Sequence, residues 1–336
     1  MPSLDIFRSD AFSVTQLTDA ILKAPYKPGR IGALGLFRER GIPTTTAIVE
    51  EKDGRLSLIQ TTPRGAPAST IGSQKRTARS FVVPHLVRET TILADEVQNV
   101  RSFGSESETD TVTGIVAERL QDLRAMHEVT LEHMRAGAVQ GLVKDADGST
   151  LLNLFTAFNV NQQTAEVTPN ASSDGGDALR AEVVAIQRLI EAELGAEPVS
   201  GYRAFAGKDF FDALRSDLGV TQTLRYADPR SLLEQQANAR QFTFGGVTWE
   251  EYRGSTGGTP FFADDEAFVF PEGANIFATY FAPADFVETV NTIGLPMYAK
   301  QALDMEFGRF VKLHTQSNPL AILLRPRAVV KVTIGT

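Results

Sequence analysis

The chain has 336 residues, 42% of them hydrophobic and 22% charged, and a formal net charge of -8. Its length allows two domains or one elaborated domain, and its acidity disfavours sequence-wide binding of DNA or RNA while leaving room for a local basic patch. The lack of cysteine removes disulfides, thiol catalysis, iron–sulfur clusters and cysteine-based zinc sites.

The N-terminus, MPSLDIFRSDAF, lacks the basic segment and apolar run of a secretory signal. No apolar stretch approaches bilayer length. Folding in the cytoplasm and no membrane role are therefore expected. Within residues 1–43, Phe7, Phe12, Val14, Leu17, Ile21 and Leu22 support a short helix around Ser13–Leu22. Pro25, Pro28, Gly29, Gly32, Gly35 and Gly41 then break any period. The aromatics favour an ordered arm docked on something over a loose tail.

Thr44–Glu50 and Arg55–Gln60 flank Lys52-Asp53-Gly54, a hairpin signal. TTPRGAPASTIGSQKRT reads as a mobile loop, and Arg76–Val83 returns as a strand ending at Pro84. No acidic residue lies between Asp53 and Glu89, whereas Arg55, Arg64, Lys75, Arg76, Arg79 and Arg88 are basic. This is either a solvated basic loop or an element that docks on an acidic surface, of another subunit or of a polyanion.

Thr113–Gly137 predicts a long helix. Val116, Leu120, Leu123, Leu131 and Met134 form one stripe, with His127 where the stripe would otherwise break. Ala125, Met126 and Val129 widen the apolar surface. Glu118, Asp122, Arg124, Glu128, Glu132 and Arg135 take the opposite side, and Gly137 is placed to end the helix. A helix of about 24 residues spans roughly 36 Å, and one stripe needs something laid along it.

Lys144–Ser149 reads as a second hairpin turn. Its Asp-x-Asp-Gly fails as a calcium loop, because the twelfth position is Thr156. Helices are expected at Gly176–Leu194, where Asp174 or Asp177 can cap the start, at Gly207–Leu218 with Phe211, Leu214 and Leu218 on one side, and at Pro229–Arg240. Phe242–Phe244 and Val247–Tyr252 should pair around Gly245-Gly246, GSTGGTPFF should be a flexible loop, and Glu266–Phe270 a strand. The β-prone tail Ala321–Ile334 is expected to pair beside the long helix.

Chemistry is sparse. The four histidines are His85, His127, His133 and His314. His127 and His133 are six apart on one helix and do not form a metal pair, so His127 reads as a satisfied core histidine. No phosphate-binding glycine motif and no G-x-S-x-G is present. Asp264, Asp265 and Glu266 read as a solvated acidic turn over a cation site, and Trp249 and Tyr252 as sheet or interface anchors. Nothing converges into an acid/base constellation, so no catalytic residue, metal or cofactor is assigned.

Four stretches carry a resemblance: FRERGIPTTTAIVEEKDGRLSLIQTTPRG (Phe37–Gly65), RTARSFVVPHLVRETTILADEVQN (Arg76–Asn99), VAERLQDLRAMHEVTLEHMRAGAVQGLV (Val116–Val143) and GLPMYAKQALDMEFGRFVKLHTQSNPLAILLRPRAVVKV (Gly294–Val332). Together with the order arm, basic β excursion, long helix, mixed domain and β-rich tail, they resemble the major capsid protein of tailed bacteriophages, specifically the lambda-type capsid protein E family. The resemblance implies an α+β, Hong Kong 97-type fold. Residues 1–43 would be the N-arm and 44–90 an extended β-hairpin E-loop laid over a neighbour. Residues 91–174 and 301–336 would form the peripheral (P) domain, with spine helix 113–137, and 175–300 a mixed α/β axial (A) domain. It further implies a homo-oligomer of pentamers and hexamers, in an icosahedral shell enclosing double-stranded DNA without sequence-specific binding. A round procapsid would expand on maturation, with portal, scaffolding and decoration proteins as partners. The virion would be the final location, after assembly in the host bacterial cytoplasm. The opposite charges of excursion and helix nominate inter-subunit contacts at Arg55, Arg64, Lys75, Arg76 and Arg79 and at Glu118, Asp122 and Glu132. The alternatives are an encapsulin-like compartment shell and a metal-dependent hydrolase.

Overall fold

The apolar stripe of Thr113–Gly137 lies within a longer helix, Glu108–Gln140. This computed structural model describes residues 13–23, 29–52, 76–97, 108–170, 176–195, 197–226 and 240–335. The expected strand Arg55–Gln60, the loop after it with Arg64 and Lys75, and nearly all of the expected helix Pro229–Arg240 lie outside the described residues, as does Arg55. Gly137 does not end the long helix. A Cβ there would sit 2.6 Å from the Leu142 carbonyl oxygen, so this glycine lets the returning strand Leu142–Lys144 pass close by. The stop is Gly141, at φ +79°, the left-handed conformation that glycine adopts without strain.

Contacts divide the chain into two compact units. The first comprises Met1–Ala47, Phe81–Met134 and Ala278–Ala321; the second comprises Ile48–Ser80, Arg135–Phe277 and Ile322–Thr336. Both are interleaved along the sequence.

In the first unit, Leu86–Leu93, Phe310–Ser317 and Tyr298–Leu303 form an antiparallel sheet with Phe310–Ser317 in the middle. Ile92, Val311, Leu313 and Ala299 of that sheet meet Val116, Leu120 and Leu123 of the long helix. Leu17 and Ile21 of the helix Val14–Lys23 complete the cluster. At roughly 25 cal/mol per Å² of apolar area removed from water, this seam is what fixes the long helix to its sheet. Arg38–Gly41 pairs in parallel with Ala278–Phe281.

In the second unit, six strands run in the order Gln163–Val167, Val330–Ile334, Glu266–Glu272, Gly201–Ala206, Val247–Glu251, Gln241–Phe244. The tail strand Val330–Ile334 is therefore an inner strand of this sheet. It is antiparallel to Glu266–Val269 and parallel to Gln163–Val167, and the expectation that it lies beside the long helix is corrected. Its alternating Val330 and Val332 are fully buried, which needs a covered sheet rather than an edge. The Gly245-Gly246 hairpin forms with φ of +60° and +81°, as a tight two-residue turn requires. Helix Asp177–Leu194 buries Leu179, Val183, Ile186 and Ile190 as its period predicts. Its N-cap is Gly176, and Asp177 is the first helical residue, while Asp174 lies outside the described residues.

Two further expectations change. The helix expected over Gly207–Leu218 runs Lys208–Ser216 and restarts at Leu218. Asp217 causes the break: its carboxylate accepts from the amides of Gly219 (2.8 Å), Val220 (3.1 Å) and Asn170 (2.8 Å), capping the next helix. Leu218 consequently stands exposed. GSTGGTPFF contains a small hairpin, Ser255–Thr256 with Thr259–Pro260, turning at Gly257 and Gly258.

Candidate assembly interface

The long helix divides its charged side between two tasks. Glu118, Asp122, Ala125, Met126 and Val129 are exposed and follow one another at helical spacing. This stripe is acidic at its N-terminal end and apolar at its C-terminal end. Glu118 and Asp122 thus face outward as expected. Met126 and Val129, read as widening the apolar surface, are about half exposed at 54% and 49%.

Glu132 is not outward, and this corrects its place among the acidic contacts. It is buried, and its carboxylate accepts from the amides of Ile31 (2.6 Å) and Gly32 (3.1 Å). These amides open the short helix Arg30–Ala33, where backbone N–H groups lack intrahelical partners. A Cβ on Gly29 would sit 2.2 Å from the Glu132 Cδ, so a larger residue there would have to displace the carboxylate that holds the arm. Arg124 is also committed internally, donating to Glu128 (2.6 Å) and to the carbonyls of Ile21 (2.6 Å) and Leu22 (2.7 Å) at the end of the Val14–Lys23 helix. The sequence signal for these contacts was only the Gly29-x-x-Gly32 spacing.

The base of the excursion is a two-stranded sheet, Thr46–Lys52 with Arg76–Val82. Ile48 and Val82 on it are exposed. Arg79 is held by its own chain: its guanidinium donates to the carbonyls of Ala157 (2.5 Å) and Phe158 (3.2 Å) and lies 5.4 Å from the Phe158 ring centre. That role, satisfying a helix C-terminus, differs from the expected contact with a neighbour. Arg76 lies on the returning strand.

The histidines do not converge. His127 is buried in the stripe and shares a 3.1 Å hydrogen bond with the Thr315 hydroxyl. Burial, aided by the nearby Arg88, pushes its pKa down to about 4, so it is neutral in the fold. His85 meets Asn318 and Gln316. His314 sits 2.9 Å from Glu89 and holds that carboxyl below its ordinary range. Asp264 and Asp265 are exposed, while Glu266 is ion-paired with Lys331. Trp249 and Tyr252 are both buried in the second unit. Among the described residues no group of three metal-ligating side chains forms, and no helix is long and apolar enough to cross a membrane. What the geometry presents is surface for contact.

A family profile described as phage major capsid protein E matches residues 13–334. The chain is 29% identical to the major capsid protein of Pseudomonas phage KPP10, over 95% of this chain and 96% of that protein. It is 25% identical to the major capsid protein of Salmonella phage Felix O1, over 96% of each. A crystal structure of a capsid-protein candidate from an E. coli CFT073 prophage superposes with a TM-score of 0.52 at 12% identity, covering 96% of this chain and 99% of that one.

Proposed function

This chain belongs to the phage major capsid protein E family and is a structural subunit of a capsid shell; from that premise we propose how its copies meet. Its α+β architecture is the Hong Kong 97-type capsid fold. In the proposed arrangement the first unit serves as the peripheral domain and the second as the axial domain. Copies form pentamers and hexamers, as a closed shell of one repeated chain requires heterologous ring contacts. The basic excursion of one copy lies along the outward stripe of the next copy's long helix. Of the nominated basic residues, Arg55, Arg64, Lys75 and Arg76, with Arg79 set aside for its own chain, are proposed to meet Glu118 and Asp122, and Ile48 and Val82 to cover Met126 and Val129. Exposed ion pairs contribute about 0–1 kcal/mol each, so the charges set register while the apolar residues supply affinity.

The shell encloses double-stranded DNA without sequence-specific binding. A net charge of -8 suits a wall against which DNA must slide, since many phosphate contacts would clamp it. Expansion of a procapsid, assembly in the bacterial cytoplasm before incorporation in the virion, and portal, scaffolding and decoration proteins as partners complete the reading. The observation that carries the interface is the exposed stripe Glu118–Val129, taken together with a sequence that has no acid between Asp53 and Glu89.

Sedimentation and electron microscopy of the purified chain, with and without a scaffolding protein, test the shell; persistent monomers under both conditions overturn it. For the interface, Glu118→Lys combined with Asp122→Lys should leave the subunit's melting transition in place. Shell yield should fall at low salt, with the deficit shrinking as salt screens the charges. Unchanged yield across the salt range removes the charge argument.

A further inference from the structure

The first unit carries two more apolar surfaces that its own chain leaves open. One is the turn between the strands Tyr298–Leu303 and Phe310–Ser317. Met305 is 87% exposed and Phe307 65% exposed, yet the turn is firmly built. Asp304 accepts from the amides of Glu306 (3.1 Å) and Arg309 (3.2 Å), and Gly308 takes φ +62°. The Arg309 guanidinium lies 4.6 Å from the Phe307 ring centre, holding the ring in place.

The other surface is the loop after Phe286. Val287, Val290, Ile293 and Leu295 point outward, while the backbone beneath them is tied inward. The Thr289 hydroxyl donates to the Ala284 carbonyl (2.7 Å), Gly294 donates its amide to Ile42 (3.0 Å), and Leu295 donates its amide to the Tyr298 hydroxyl (2.8 Å). A Cβ on Gly294 would lie 2.0 Å from the Phe281 carbonyl oxygen. A loop pinned this tightly with four aliphatic side chains outward is pre-organised for a contact.

The two surfaces lie toward opposite ends of one strand pair. Leu295 and Pro296 adjoin Tyr298 and Ser317, while the tip follows Leu303. Six strand residues separate them by about 20 Å. One copy therefore cannot close this contact on itself. A tip and a seat displaced along one rigid element make a heterologous contact, the kind that propagates into rings. Charge fits as well: the tip brings Arg309, and beside the seat stands the exposed Asp285, 3.9 Å from His85.

We propose that Met305 and Phe307 at this tip dock on the Val287–Leu295 loop of a second copy of the chain, forming an inter-subunit contact separate from the excursion. The inference rests on the chain being a shell subunit. The lack of cysteine makes a direct test possible, because a disulfide needs Cα atoms about 4.4–6.8 Å apart. Chains carrying Phe307→Cys and chains carrying Ile293→Cys are assembled together and oxidised, and cross-linked dimers are expected. A chain with both substitutions should give a ladder of multimers, and neither single variant alone should cross-link. Phe307→Asp should also lower particle yield by about tenfold or more, as loss of a buried aromatic anchor does, with the subunit's melting unmoved. Dimers from Phe307→Cys alone show tips meeting tips and overturn the docking; so do particles without the mixed cross-link, or full yield from Phe307→Asp. Failure of the unaltered chain to form particles overturns the shell reading instead.

Discussion

The two units differ in how completely they cover their own apolar residues. The second packs aromatic on aromatic. Phe205 lies 5.3 Å from Tyr252, 5.7 Å from Phe262 and 5.2 Å from Phe270, and Trp249 stacks on Phe210 at 5.8 Å. The first relies on an aliphatic seam between one helix and a three-stranded sheet. Of the fifteen large apolar residues found exposed among the described residues, eleven belong to the first unit. The second unit thus covers most of its large apolar residues, with Ile48 at the base of the excursion among its exceptions, whereas the first leaves many more of them open. Substitutions in one should change folding, and substitutions on the other's surface should change assembly.

The largest expected effect tests that division directly. Trp249 is fully buried and donates its indole N–H to the Phe244 carbonyl at 3.2 Å. Trp249→Ala should cost about 4 kcal/mol of folding stability in denaturant titration. Phe307→Ala, an equally drastic truncation on the first unit's surface, should cost less than about 0.5 kcal/mol. Comparable losses would show that both units are folded to the same completeness.

The next effect separates the seam of the first unit from its surface by pH. Burial holds His127 neutral with a pKa of about 4, whereas the unfolded chain takes up a proton below 6.5. The unfolded state therefore binds more protons as pH falls. Stability is full above about pH 6.5, declines toward pH 4 and levels off below it, by about 3 kcal/mol in total. The nearby Arg88 guanidinium adds to the depression. Glu89, paired with His314, pulls in the same direction as acid is added. His127→Gln isolates the histidine's share: its unfolding free energy should fall less steeply between pH 7 and pH 4. Parallel profiles would mean that His127 is not the titrating group.

Much of this organisation is legible locally. The long helix, the Asp177–Leu194 helix and the Gly245-Gly246 turn announce themselves because each depends on residues within one or two turns of one another. The sheet under the long helix does not. Leu86–Leu93 carries Arg88-Glu89-Thr90-Thr91 in its middle and is a strand because Phe310–Ser317 pairs with it from across the chain. Val330–Ile334 reads correctly as β-prone, but which sheet receives it is a long-range fact. The acidic contacts show the same limit. Glu118, Asp122 and Glu132 look alike along the helix, and only the arm returning from Gly29 makes one of them internal. Arg79 is similar: its basic charge is plain, and its use on the Ala157 and Phe158 carbonyls is not.

That difference among the three acids supplies the smallest and sharpest prediction. Glu132→Gln preserves size but can present only one acceptor oxygen to the two amides it now serves, so one donor meets an NH2 group. Loss of a charge-assisted, buried hydrogen bond should cost about 2 kcal/mol, and the cost should be local to the arm. Amide hydrogen exchange at Ile31 and Gly32 should accelerate by roughly thirtyfold, the kinetic equivalent of that energy when opening is local. Glu118→Gln and Asp122→Asn should leave both amides as protected as before, because those side chains face outward. If Glu132→Gln leaves Ile31 and Gly32 fully protected, the carboxylate is not what holds the arm.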